Sequence, residues 1–392
     1  MKIRIWAWLC FVPLTLLAGC KGFWDLPSTG SGGTTATTLS SGVFYVLNET
    51  AGQIVAYSIS SGTLNKIGTY SVTGPTAMAI APNANFLYVS TAVNGIFVYN
   101  IGSGGALTVG NNGQAISSDP AAAVVIDTTN SWLIDTFING GGQVVLDAIP
   151  LNSSGTYTSG ATVPQALFTI TSATVKQMAL SSDDTNIFVA LGSGGTIVVP
   201  FTSSGSSQFG ATATTIAVSN TGGAAQSVAV DPLGQIFYIG ETDVFTSSNN
   251  PGGLRAFNYS SLGTAVPRTA PTQISGSPIA SGGIAPYAIL PLSAGGYVYV
   301  ANGEGNSNGN VAWFPITTSG TTYTIAAGSS INAGILPVGL AEDNKSNFVL
   351  AVSSSGSPDL DAFTMSSGVL TSAIQSSTGT DPVGAGAIAA LP

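Results

Sequence analysis

The sequence predicts an all-β fold, a seven-bladed β-propeller with four-stranded blades whose ring is closed by pairing of the N- and C-terminal strands. Three observations predict it. Short β-rich runs such as Phe86-Leu87-Tyr88-Val89-Ser90-Thr91 and Ile96-Phe97-Val98-Tyr99-Asn100-Ile101 are parted by Gly, Ser, Asn and Asp turns, and no long helical period interrupts them. A strand-turn-strand template recurs along the chain at intervals long enough for four strands. Half-copies stand at the two ends, and each supplies what the other lacks.

The template runs from Gly74 to Val89: a strand, a tight polar turn at Pro82-Asn83-Ala84-Asn85, and a second strand starting 11 residues after Pro75. With the same spacing Pro120 leads to Ser131, Val175 to Asn186, Ala225 to Ile236, Pro286 to Tyr297 and Pro337 to Phe348. Val43-Phe44-Tyr45-Val46 is a second strand without a first, and Asp381-Pro382-Val383 a first without a second. A ring uses both halves and leaves no exposed sheet edge, which a row of sheets would. Third strands are expected at Gln53 to Ile59, Gly95 to Ile101, Val144 to Leu151, Thr196 to Phe201, Leu254 to Tyr259, Val311 to Ile316 and Leu360 to Met365. Small residues on the first strands (Ala77, Ala79, Ala122, Ser227, Ala229, Gly339, Ala341) suit crowding near an axis.

Leu87-Tyr88-Val89-Ser90-Thr91, Val298-Tyr299-Val300-Ala301-Asn302 and the turn Asp231-Pro232-Leu233-Gly234 resemble the YVTN-type signatures of lactonase propellers, the group of bacterial 6-phosphogluconolactonase. The resemblance spans residues 43–392 and implies the fold. It implies function less directly, because enzymes and binding proteins share such propellers. It also implies that the starts of first strands and the ends of second strands surround the mouth of a central channel.

The N-terminus reads as an export signal over residues 1–19: Lys2 and Arg4 precede the apolar stretch Ile5 to Leu17, which is short for a membrane span. Leu17-Ala18-Gly19-Cys20 resembles the bacterial lipobox, which implies lipidation of Cys20, cleavage before it and attachment to a membrane through the lipid. Lys21, where inner-membrane lipoproteins usually carry Asp, implies the outer membrane. Residues 20–42 then form a Gly/Ser/Thr tether reaching roughly 25 Å.

Composition excludes much chemistry. There is no His among 392 residues, so His triads, His-ligated zinc and imidazole acid-base catalysis are impossible. Cys10 leaves with the signal and Cys20 carries lipid, so the domain has no disulfide and no thiolate metal site. Loss of Lys2 and Arg4 takes the formal charge from −9 to −11 without clustered cations, which argues against nucleic acid. Neither cofactor nor metal is expected, and the protein is read as a monomer.

In this register the mouth carries Thr76, Ala121, Lys176, Gln226, Tyr287, Val338 and Val383, with Asp119 and Asp381 just before the row. Second-strand ends add Asp135, Glu241 and Asn302, and a third-strand start adds Arg255. Lys176, Gln226, Arg255, Tyr287 and Asp119 are the candidate ligand-binding residues, and Glu241 is the catalytic base if the protein is an enzyme. The row lacks the His and Arg of lactonase-type mouths. The leading expectation is therefore a non-catalytic binding module for a carbohydrate, peptide or protein; the alternatives are a lactonase-like hydrolase or isomerase of a small sugar-acid lactone, and a structural envelope or adhesion component. Glu304 to Asn310 resembles a calcium loop short of carboxylates and reads as a hairpin tip, while Asp183-Asp184 reads as an Asx turn.

Overall fold

The computed structural model describes residues 42–392 apart from 61, 206, 234–235, 247–250, 263–268, 305–306, 378–379 and 383. The signal, Cys20 and most of the tether lie outside the described residues, as do Val383 and the tip of the Glu304 to Asn310 hairpin. The described chain is all β, with three short 3-10 turns and no α-helix. No helix among the described residues is long and apolar enough to cross a membrane.

Five antiparallel sheets follow in chain order, each built mainly from four strands. In the first, Ala385–Ala390 from the C-terminus pairs with Val43–Asn48, which continues to Gln53–Ser60 and Thr63–Ser71. The second is Pro75–Ile80, Phe86–Thr91, Ile96–Ile101 and Leu107–Val109; the third is Ala123–Ile126, Trp132–Ile138, Val144–Pro150 and Gln165–Phe168. The fourth is Gln177–Leu180, Asn186–Ala190, Thr196–Pro200 and Thr214–Ile216; the fifth is Ala225–Val230, Ile236–Glu241, Gly253–Asn258 and Thr272–Gln273. Ala285–Pro291, Tyr297–Glu304 and Ser307–Ser319 begin a larger sheet. In it the long strand Ser329–Glu342 pairs with Ser307–Ser319 through its first half and with Phe348–Ser355 through its second, and Leu360–Ser366 and Val369–Gln375 complete it. One strand thus does the work of an outer strand, a linker and an inner strand.

Every expected third strand is present. The turn after each first strand is closed by one repeated bond, in which an N–H donates to the carbonyl five residues on: Ala81 to Phe86, Asp127 to Trp132, Ser181 to Asn186, Asp231 to Ile236, Leu292 to Tyr297 and Asp343 to Phe348. Leu391 donates the same bond to Val43, so the two chain ends share one turn position. Side chains reinforce the turns: Asp127 Oδ1 accepts from the N–H groups of Ser131 and Trp132, and Asp343 Oδ1 from those of Asn347 and Phe348. Asp183 caps its own turn in this way, and Asp184 accepts from Thr128 of the neighbouring turn, tying two sheets together.

The first strands touch one another in succession, and Ala385–Ala390 packs between Ser329–Glu342 and Pro75–Ile80. Small residues permit this approach. A Cβ on Gly339 would stand 2.8 Å from Val352 Cγ2 and 3.1 Å from Ile388 Cγ2. Larger apolar residues fill the wedges further out, as where Phe188 of the fourth sheet meets Phe237 of the fifth at 4.5 Å between ring centroids. The tyrosine of the Tyr-Val signature reaches across to a neighbouring hairpin: the hydroxyls of Tyr45 and Tyr88 donate to the carbonyls of Gly105 and Gly155 in the next sheet, and that of Tyr299 to Gly368 in the last hairpin of the larger sheet. Each buried phenol is thereby satisfied, which accounts for the motif on structural grounds.

Candidate functional site

The repeated turn bond fixes the register of the first-strand starts, the row expected at the channel mouth. Counting back five residues from each donor gives Thr76, Ala122, Lys176, Gln226, Tyr287, Val338 and Gly386. At Thr76, Gln226, Tyr287, Val338 and Gly386 the strand pairing skips one residue, a bulge that re-aims the side chain. Two expectations are corrected. In the third sheet the row residue is Ala122 rather than Ala121, because Ser131 belongs to the turn and the second strand begins at Trp132. In the closing strand it is Gly386, three places beyond Val383, because Pro382 belongs to the linker and not to the strand.

The second correction brings a new residue, Glu49, against this row. Lys176 leans over Gly192, where a Cβ would be 3.6 Å from its Cε, and the ring of Tyr287 covers Gly303. Long side chain and glycine exchange places in the closing sheet: a Cβ on Gly386 would collide with the side chain of Glu49, which holds the position equivalent to Gly192 and Gly303. Glu49 therefore occupies the space that Lys176 and Tyr287 fill in their own sheets. Burial pushes its carboxyl up to about 7, and its Oε1 is buried with no hydrogen-bond partner. Lys176 is half-buried, is held below its ordinary value by desolvation, and has no ion-pair partner among the described residues. Gln226 and Tyr287 are half-buried beside it in the row.

Glu241 is placed otherwise. It is 1% exposed and its Oε2 accepts from Arg255 Nη1 at 2.7 Å, while its Oε1 accepts from the Ser219 N–H. Arg255 also donates to the carbonyl of Ala217 and to Gln273 Oε1, and stacks over Phe257. Both side chains thus hold the linker at residues 217–219 against the end of its sheet. Polar residues at the same strand position elsewhere do likewise: Asn302 donates to the carbonyl of Ser281 and Asn48 to that of Pro382. The Asp381 carboxylate accepts from the Asp359 N–H and the Ser357 hydroxyl, bracing another loop. Asp119 is exposed and Asp135 fully buried, both on the flank between the second and third sheets.

Toward the other end of the first strands lies a narrow apolar cavity of about 70 Å³, with Met178, Leu180, Val230 and Ile289 in its wall and Glu342 at one side, held by Ser293. Apart from Ser293 and Glu342, which bond to each other, every lining side chain is apolar.

Solved structures carry the same fold. A protein of Bacteroides fragilis assigned as a 6-phosphogluconolactonase superposes with a TM-score of 0.67 at 13% identity, over 91% of this chain and 99% of its own. The periplasmic gluconolactonase of Pseudomonas aeruginosa gives 0.63 at 15% identity, over 90% and 100%. The β-propeller domain of Cps50 (Swd1) from Myceliophthora thermophila gives 0.57 at 14%, over 84% and 93%. No family model and no curated protein matches the chain. The fold is thus a β-propeller.

Proposed function

We propose that the chain is a lipid-anchored, extracytoplasmic propeller of seven blades closed into a ring, and that its mouth hydrolyses a small sugar-acid lactone. The succession of first-strand contacts and the shared turn of Leu391 and Val43 support the ring. The names borne by similar folds support the substrate class. The observation that carries the activity is the Glu49 carboxyl, half-buried at the mouth without a partner for Oε1 and titrating near neutrality.

In this reading Glu49 takes a proton from water as the water oxygen adds to the acyl carbon. The ring C–O bond then breaks and Glu49-H returns the proton to the departing alkoxide. In a ring, Lys176 stands three blades away, across the channel, and holds an anionic arm of the substrate, while Gln226 and Tyr287 bind hydroxyls. Glu241, already engaged by Arg255 and the Ser219 N–H, serves the fold in this scheme.

Lys176→Ala is expected to weaken binding of the product acid by roughly 1.5–3 kcal/mol, the range for hydrogen bonds to charged groups. Calorimetry with a phosphorylated or carboxylated aldonic acid reads this out, and unchanged affinity removes Lys176 from the site. A second reading, a non-catalytic module for carbohydrate, peptide or protein, is favoured by the missing imidazole and the engaged Glu241. Turnover of D-glucono-δ-lactone above its spontaneous rate separates the two.

The anchor is tested apart from the site. Cys20→Ser in the full chain should abolish incorporation of labelled palmitate and leave the signal uncleaved by the lipoprotein route; a variant that still takes label refutes the lipobox reading.

A further inference from the structure

A cleft of about 340 Å³ opens between the second and third sheets; Ser117, Asp119, Asp147, Ile149, Tyr157 and Gln165 line it. No Lys or Arg stands among its lining residues. Gln165 donates to Asp147 Oδ1 at 2.8 Å, and the Asp147 carboxylate has no other hydrogen bond among the described residues. Directly across from Asp147 on the adjacent strand is Asp135, and paired residues of antiparallel strands share a face. Asp135 is 0% exposed, and neither of its oxygens has a partner. Burial first, then the charges of Asp147 and Asp119, hold its carboxyl well above the usual carboxylate range.

A buried carboxyl with both oxygens empty costs stability unless something reaches it. Two further carboxylates in front of it give the cleft a strong preference for positive charge. A metal ion fits poorly, since no three acidic side chains among the described residues converge as ligands. Spread carboxylates suit an extended cation with several N–H donors, and the walls suit its hydrocarbon: Ile149 is apolar, and the Tyr157 ring is fixed by its hydroxyl, which donates to the Ala161 carbonyl.

We propose that this cleft binds an organic cation, a guanidinium or ammonium group on an aliphatic stem, which pairs with Asp119 and Asp147 at the lining and offsets the unpartnered Asp135 carboxyl paired with Asp147 on the adjacent strand. The site is independent of the lactone reading and does not use the channel.

Agmatine and N-acetyl-arginine amide are the probes, titrated calorimetrically into the full chain at pH 8. Saturable binding of at least one is expected, weakened about tenfold by Asp119→Asn, whose side chain is exposed and leaves the fold intact, and at least as much by Asp147→Asn. Tighter binding of agmatine assigns a free diamine, and tighter binding of the capped arginine assigns a peptide side chain. No saturation by either probe up to about 10 mM, affinity unchanged in both variants, or stabilisation by Ca²⁺ without response to the amines overturns the proposal.

Discussion

Replacing Glu49 with Gln should lower lactone turnover by about 10²–10⁴-fold, the usual contribution of a positioned general base, while product affinity stays near that of the unaltered protein. Two further signatures distinguish this from simple damage. Turnover in the unaltered protein should rise with pH through about 7, where Glu49 loses its proton. The stability profile should change as well. A carboxyl whose pKa is raised on folding contributes stability that is complete below the unfolded value near 4.5 and is lost as pH rises through about 7. Glu49 thus accounts for a loss of at most about 3 kcal/mol between pH 5 and pH 8, which Gln, neutral throughout, removes. Asp135 and Asp147 are raised in the same direction, so a weaker slope should persist in the variant. Thermal melts across that window report the stability. Hydrolysis at the unaltered rate by Glu49→Gln would show that the mouth carboxyl is not the base.

Much of the architecture was legible because each repeat repeats a physical requirement. The turn bond needs a fixed number of residues, the tyrosine hydroxyl needs a carbonyl across the wedge, and crowded first strands need Ala and Gly; all three leave marks in sequence. The candidate site was less legible. Lys176, Gln226 and Tyr287 hold the row positions that the template spacing gives them. The place of Glu49 against Gly386 is not legible, because the C-terminal strand lacks a proline to set its register. The signal was present as the Gly-for-long-side-chain exchange, but it becomes readable only once Gly192 and Gly303 are seen beneath Lys176 and Tyr287. Glu241 illustrates the opposite case. Its charge and position suggest chemistry, and sequence spacing does not reveal the bonds that it accepts from Arg255 and from the Ser219 N–H of the linker.

Truncation after Thr380 should unfold the protein. It removes Ala385–Ala390, whose residues are nearly all inaccessible, together with Leu391 and its bond to Val43. Burial of the Ile388 and Leu391 side chains alone is worth roughly 1.5–3 kcal/mol each, and Phe44, Val46 and Leu47, now fully buried, would lose cover. Against a total stability of about 5–15 kcal/mol for a domain, that loss leaves little folded protein. Val43–Asn48 would also become a bare, apolar sheet edge, the kind that associates with other chains. Ile388→Ala provides a milder variant of the same test. It keeps the strand but opens a cavity beside Gly339 and should cost about 2–5 kcal/mol in denaturant unfolding. Hydrogen exchange localises the effect: a closed ring transmits the loss from the first sheet to Ser329–Glu342 and to Pro75–Ile80, the two strands that flank the missing one. A truncated chain that melts at the unaltered temperature would instead mean that the sheets stand in an open row, with the C-terminal strand contributing nothing to its neighbours.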